Sequence, residues 1–133
     1  MWKKSCGMLI DKLKACLQSH EEILAAWLFG SQATGRAGPQ SDVDVAVLGW
    51  RPLSLEERLT LQMDVENALK RERVDVVDLS RASPVLRFEA LQGVRLLARS
   101  PEDVAVFSSL VGREYESAMA LLESGYRVRR ESA

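Results

Sequence analysis

Apolar positions along this chain recur with two periods, and the changes from one to the other divide it into predicted elements. Met8, Leu9, Leu13, Cys16 and Leu17 fall at helical spacing and predict a first helix over about Ser5 to Ser19. The run EILAAWLFG is almost wholly apolar and ends at Gly30, which predicts a buried strand from Ile23 to Phe29. SQATGRAGPQS, rich in Gly, Pro and Ser, reads as loop. DVDVAVLG alternates acid and valine and predicts a second strand from Asp42 to Leu48. Ser54 with Glu57 three residues later is a capping-box signature. Leu55, Leu59, Met63, Val65 or Glu66, and Leu69 then run along a helix reaching about Arg71. VDVVDL predicts a third strand, Val74 to Leu79. A short helix opens at Pro84, Gly93 breaks it, and a short extended or helical piece follows. Pro101 opens a long last helix to about residue 125, with Val104, Phe107, Leu110, Val111, Tyr115 and Met119 on one side.

The order α-β-β-α-β-α-α predicts an α/β domain built on a small mixed three-stranded sheet flanked by helices. A helix of about five turns joins strands two and three, which implies a parallel, right-handed crossover. The loop between strands one and two is too short for a crossover, so that pair is expected to be antiparallel. Together these connections bring the carboxyl end of strand one beside the amino ends of strands two and three. Gly30-Ser31 then lies next to Asp42 and Asp44.

Composition narrows the chemistry without changing this picture. The 133 residues suit a single domain, 1–133, and 47% hydrophobic with 28% charged residues is ordinary for a soluble globular chain. A net charge of −1 gives no reason to expect direct nucleic-acid or anionic-membrane binding. No apolar run is long enough to span a bilayer, and the amino-terminal segment is broken by Asp11, Lys12 and Lys14, so a cytoplasmic location is expected. Cys6 and Cys16 form no CxxC pair and read as apolar fillers of the first helix. His20 is the only histidine, which argues against zinc chemistry and a histidine-based triad. Carboxylates, hydroxyls and arginines remain.

Asp42 and Asp44, two apart on a strand, share a face about 6.5–7 Å apart at Cα. Two such carboxylates repel unless a cation lies between them, and all-oxygen ligands suit magnesium, which shares its coordination with substrate phosphates. A pair of magnesium ions can orient and stabilise both oxygens of a phosphoryl displacement. Gly30 allows φ > 0 and close approach of a phosphate to the backbone, and Ser31 adds a hydroxyl donor.

Gly30-Ser31 followed by Asp42-Val43-Asp44, with another acid one strand later, resembles the DNA polymerase beta nucleotidyltransferase superfamily. The short length resembles its minimal nucleotidyltransferases, and RVDVVDLSRASPVLRFEALQGVRLLARS resembles the corresponding segment of antitoxins paired with HEPN-domain toxins. The resemblance runs from about Trp27 to Arg99, inside a catalytic core of about residues 23–99. It implies the nucleotidyltransferase fold and a magnesium-dependent transfer of a nucleoside monophosphate, AMP from ATP, to a protein hydroxyl. The implied acceptor is a tyrosine of a cognate HEPN ribonuclease toxin held in a hetero-oligomer. It implies that Asp42 and Asp44 hold the metal ions and that Gly30 and Ser31 contact the triphosphate. It also implies a third metal-binding carboxylate on strand three, which is Asp75 by its level on the strand. Asp78, three residues on, faces the other way and is expected to serve the strand end or to pair with Arg81. Family members often carry Arg where this chain has Thr34, and Arg36 is the residue that could supply the missing charge to the nucleotide.

Other residues read as structural. Trp27 is expected in the core, Trp50 and Arg51 under their own turn, and Tyr115 and Tyr126 in packing. Arg127, Arg129 and Arg130 read as a solvated tail. The alternatives to a toxin-modifying enzyme are a non-catalytic antitoxin that neutralises by binding and a small-molecule nucleotidyltransferase of aminoglycoside type.

Overall fold

The structure, a computed structural model, describes residues 2–30, 42–70 and 73–132. The elements run α1 (Trp2–Gln18), β1 (Ile23–Phe29), β2 (Val43–Gly49), α2 (Leu55–Leu69), β3 (Val74–Asp78), a 3₁₀ turn (Leu79–Arg81), α3 (Pro84–Leu91), β4 (Val94–Ala98) and α4 (Pro101–Ser132). The sheet order is β3-β2-β1-β4. β1 is antiparallel to β2 and to β4, whereas β2 and β3 are parallel. The predicted pairing of the first three strands is therefore found, and the three-stranded sheet is corrected to four. The piece after Gly93 is a strand, because Val94–Ala98 can satisfy its backbone on the free edge of β1. The closeness of that approach leaves no room for a side chain on Gly93, whose Cβ would strike the Leu28 carbonyl.

Alternation along the strands creates two cores. Val43, Val45 and Val47 of β2 join Leu9, Leu13 and Leu17 of α1 and Leu61, Val65 and Leu69 of α2 on one face. Ala46 and Leu48 point the other way, to Trp27, Phe29, Ala90 of α3 and Val104 of α4. Trp27 is thus core, as expected. Phe107 packs at the margin of that second cluster, and Tyr115 stacks on Phe88 with ring centroids 3.9 Å apart. In α4 the expected stripe holds at Val104 and Val111, both buried, but Leu110 is exposed. The helix runs on to Ser132, seven residues past its expected end at 125.

The inner face of α2 needs a larger correction. Leu55, Leu59 and Met63 are all more than half exposed, whereas Leu61, Val65 and Leu69 are buried. Two apolar stripes of four-residue spacing lie on this helix, and the parallel crossover selects the second. Met8 of α1 is likewise exposed rather than part of the core.

The ends of the helices are held by polar contacts. Ser54 caps α2 and Glu57 bonds back to the Ser54 amide, completing the predicted box. That amide, with Arg51, holds the Glu57 carboxyl below its ordinary range. Arg99 closes the carboxyl end of α1, donating from Nε to the Ile23 carbonyl at 2.8 Å and from Nη2 to the Gln18 and His20 carbonyls. His20 Nδ1 lies 2.9 Å from Glu22, and its Nε2 lies 2.8 Å from Asp64 of α2. Half-buried Cys16 packs beside the first core, and burial, then Asp64, raises its thiol pKa, which keeps it protonated and unreactive.

This assignment of faces is testable by denaturant unfolding. Leu61→Ala should destabilise the fold by about 2–5 kcal/mol, as deletion of a buried leucine does. Leu59→Ala should stay within about 0.5 kcal/mol of the parent, as an exposed substitution does.

Candidate active site

The valines of β2 fix where its acids go. With Val43 and Val45 turned into the α1–α2 core, Asp44 must emerge on the opposite face of the sheet, two residues on from Asp42. The strand begins at Val43, so Asp42 is the last residue before it. Parallel pairing sets Asp44 directly beside Asp75, and antiparallel pairing sets it beside Phe29, the residue before Gly30. Asp44 and Asp75 are therefore neighbours on one face, across from the Gly30 turn, with Asp42 close enough to act on Asp44 and lining a cleft with Asp75. Asp42 and Asp75 are exposed and Asp44 is half-buried.

Gly30 is constrained from two directions. Its φ is +76°, in the region that favours glycine, and an added Cβ would sit 2.5 Å from Asp44 Oδ2. The turn and the acid are thus packed against each other with no space for a methyl group. Ser31, Thr34, Arg36 and Ser41 lie outside the described residues.

Asp78 is excluded from the cluster. It pairs beside Val47, on the side of the sheet away from Asp75, with its side chain 1% exposed. Its Oδ1 accepts from the amide and hydroxyl of Ser80 at 3.0 and 2.7 Å, and its Oδ2 lies 3.5 Å from Arg81 Nε. It caps the 3₁₀ turn and meets Arg81, as expected for a strand-end acid.

One positioning residue escaped the sequence reading. The carboxamide of Gln62 on α2 donates to the Val74 carbonyl and accepts from the Val76 amide at 3.1 Å. These are the backbone groups flanking Asp75 on the free edge of β3, so Gln62 acts there as a one-residue strand and fixes the level of Asp75. Glu66 accepts the second amide proton of Gln62 at 2.8 Å. The only sequence signal was position, one residue on from buried Leu61.

The electrostatics follow from this crowding. Burial, then Asp75, then Asp42, raise the Asp44 pKa above its ordinary 3.8. Among the described residues no three His, Cys, Asp or Glu side chains gather as a ready-made metal cage. The three acids form an open set of hard oxygens instead. Such a set fits magnesium, which keeps waters and completes its shell with substrate phosphate. Beside them runs an open cleft of about 310 Å³ lined by Asp42, Arg73, Val74 and Asp75.

A strand-borne set of acids facing a glycine turn defines a class. Residues 11–102 match the family described as Polymerase beta, Nucleotidyltransferase, and the chain belongs to that family. Within it, the particular likeness is to the antitoxin of MntA-HepT toxin-antitoxin pairs and to minimal nucleotidyltransferases. A chain of a toxin-antitoxin crystallised with AMP-PNP is 27% identical, with a TM-score of 0.76 over 93% of this chain and 98% of that one. A chain of the tri-AMPylated Shewanella oneidensis HEPN toxin in complex with MNT antitoxin is 25% identical, with a TM-score of 0.72 over 96% and 99%. A minimal nucleotidyltransferase structure is 28% identical, with a TM-score of 0.58 over 67% and 92%. No curated protein is similar enough in sequence to match. No helix among the described residues is long and apolar enough to cross a membrane.

The raised pKa of Asp44 gives a stability prediction. A raised carboxyl pKa means the folded state holds its proton more tightly than the unfolded chain. Asp44 therefore costs stability once ionised, and that cost disappears as pH falls through its folded pKa towards 3.8. Asp44→Asn should raise the melting temperature of metal-free protein at pH 7 by about 1–4 °C, a small gain because solvent screens a half-exposed group. The gain should vanish near pH 3.5, and calorimetry across that range checks both statements.

Proposed function

We propose that this chain is a magnesium-dependent nucleotidyltransferase that moves AMP from ATP to a tyrosine hydroxyl of a cognate HEPN toxin, silencing it. The observation that carries this reading is the register that puts Asp75 beside Asp44 and Asp44 against the Gly30 turn. The structures with AMP-PNP and with a tri-AMPylated HEPN toxin support the nucleotide and the acceptor. The pairing with toxin in those relatives supports a hetero-oligomer.

In this reading each residue has a task. Asp42 and Asp44 would hold the divalent cations, and Asp75 would complete the set on the acceptor side. Magnesium bound there supplies positive charge that neutralises the triphosphate and relieves the repulsion among the acids. Gly30 lets the β- and γ-phosphates approach the backbone at the end of β1, with Ser31 assigned to the same nucleotide by resemblance and Arg36 as the residue that would supply the charge the family carries at the position of Thr34. Asp75 accepts the proton of the attacking hydroxyl. Gln62 keeps Asp75 level with Asp44, so attacking group and α-phosphorus meet in line. The protein's contribution is placement and charge rather than a covalent intermediate.

Labelled ATP, magnesium and the partner toxin test the reading. The label should appear on the toxin and be lost on chelation. Asp42→Asn with Asp44→Asn should reduce transfer by at least about 10²–10³-fold while the pair still associates. If the double variant neutralises the toxin undiminished, the protein works by binding, not by catalysis.

A second prediction concerns the turn. Gly30→Ala should lower transfer by at least about tenfold and destabilise by about 1–3 kcal/mol, since it combines a disfavoured backbone with a clash on Asp44. Steady-state kinetics and thermal unfolding together check it.

A further inference from the structure

Arg73 immediately precedes β3, two residues before Asp75, and lines one cleft with Asp42 and Asp75. Its backbone is fixed, because the Val43 amide donates to its carbonyl at 2.9 Å. Its side chain is exposed and borders the cleft that Asp42 and Asp75 also line. Arg51, Arg81, Arg87 and Arg99 all spend their guanidinium groups on carboxylates or backbone carbonyls. Among the described residues Arg73 has no such partner.

Its place in the sheet says which ligand it faces. β3 is the sheet edge and β2 separates it from β1, so Arg73 stands two strand spacings, about 10 Å, from the Gly30 turn. In an in-line displacement the leaving pyrophosphate and the attacking hydroxyl occupy opposite sides of the α-phosphorus. With the triphosphate at the Gly30 end, Arg73 is on the acceptor side. Before its proton leaves, a tyrosine hydroxyl is neutral and gives a guanidinium no anion to hold in the bound ground state. A tyrosine already carrying one AMP is different, since its phosphodiester is an anion one nucleotide away from the ribose hydroxyl that attacks next. Arg73 and Asp75 are offset by about 6.6 Å along the chain and line the same cleft, which matches a phosphate at the first and its own ribose hydroxyl at the second.

We propose that Arg73 grips the phosphodiester of the nucleotide added in the preceding round, making it the residue that governs how many nucleotides are added. This inference rests on the nucleotidyl-transfer reading above and deepens it. In each later round the ribose hydroxyl of the attached AMP attacks the α-phosphorus of a fresh ATP. An O–P bond forms, the bond between the α-phosphorus and the bridging oxygen breaks, pyrophosphate leaves, and the hydroxyl proton passes to solvent by way of Asp75. Arg73 makes no bond and acts by a bidentate, charge-assisted grip that orients the acceptor.

The test counts AMP additions on the toxin by intact mass over time, with wild-type protein, Arg73→Met and Arg73→Lys. In Arg73→Met the ratio of second- to first-addition rates should fall at least about tenfold, the loss expected for a charge-assisted hydrogen bond. Arg73→Lys should recover part of that ratio. With purified mono-AMPylated toxin as substrate, Arg73→Met should raise KM more than it does with unmodified toxin. A ratio within about threefold of wild type, or a wild-type protein that stops after one AMP, overturns the role of Arg73 alone. A wild-type protein that adds no AMP overturns the transfer reading itself.

Discussion

The alternation of valine and aspartate across Asp42 to Val45 is the constraint on which the rest depends. Val43 and Val45 are fully buried, so β2 cannot slip by one residue without exposing its valines and driving its acids into the α1–α2 core. The hydrophobic effect therefore determines the direction of the carboxylates. Each neighbouring strand then adds one component at a fixed level, Asp75 from β3 and Gly30 from β1. Like charges are held together by apolar packing that has no charge of its own.

That arrangement opposes stability where it serves chemistry. Asp44 is crowded by Asp42, Asp75 and the glycine turn, and its charged form is disfavoured as a result. A cation bound among these acids would relieve what the fold creates and would couple its binding to folding in the direction of greater stability when loaded. Gln62 belongs to the same economy of parts. An edge strand with unmet backbone groups is free to fray, and the carboxamide meets the two groups that flank Asp75. Precision at the acid is thus obtained from a helix on the far side of the sheet.

Much of this was legible in the chain, and the misses have physical causes. β1 was placed residue for residue, and the capping box at Ser54 and Glu57 was found, because short-range signals decide both. The choice of Asp75 over Asp78 rested on period two, on the level set by the parallel crossover and on the resemblance, and the structure puts the two acids on opposite faces. α2 misled because Leu55, Leu59 and Met63 form as regular a stripe as Leu61, Val65 and Leu69, and only the crossover's direction distinguishes them. β4 was ambiguous because a five-residue run after a glycine with four apolar residues and Arg95 suits helix or strand equally, and the free edge of β1 is a long-range fact. Gln62 carried no motif at all, since a side chain that imitates backbone is recognisable only once that backbone is in place.

The sheet order also decides who can reach the site. The Gly30 end of the cluster has a strand on either side, β2 and β4, because β1 is an interior strand. The Asp75 end lies on the edge strand, and Gln62 covers its backbone without covering the cleft that Arg73 and Asp75 line. An open acceptor side is what a folded protein acceptor requires, because its modified residue must enter attached to a whole domain. A small-molecule acceptor would need walls on that side to hold it. Among the described residues the cleft beside β3 is open, which agrees with the macromolecular acceptor proposed above.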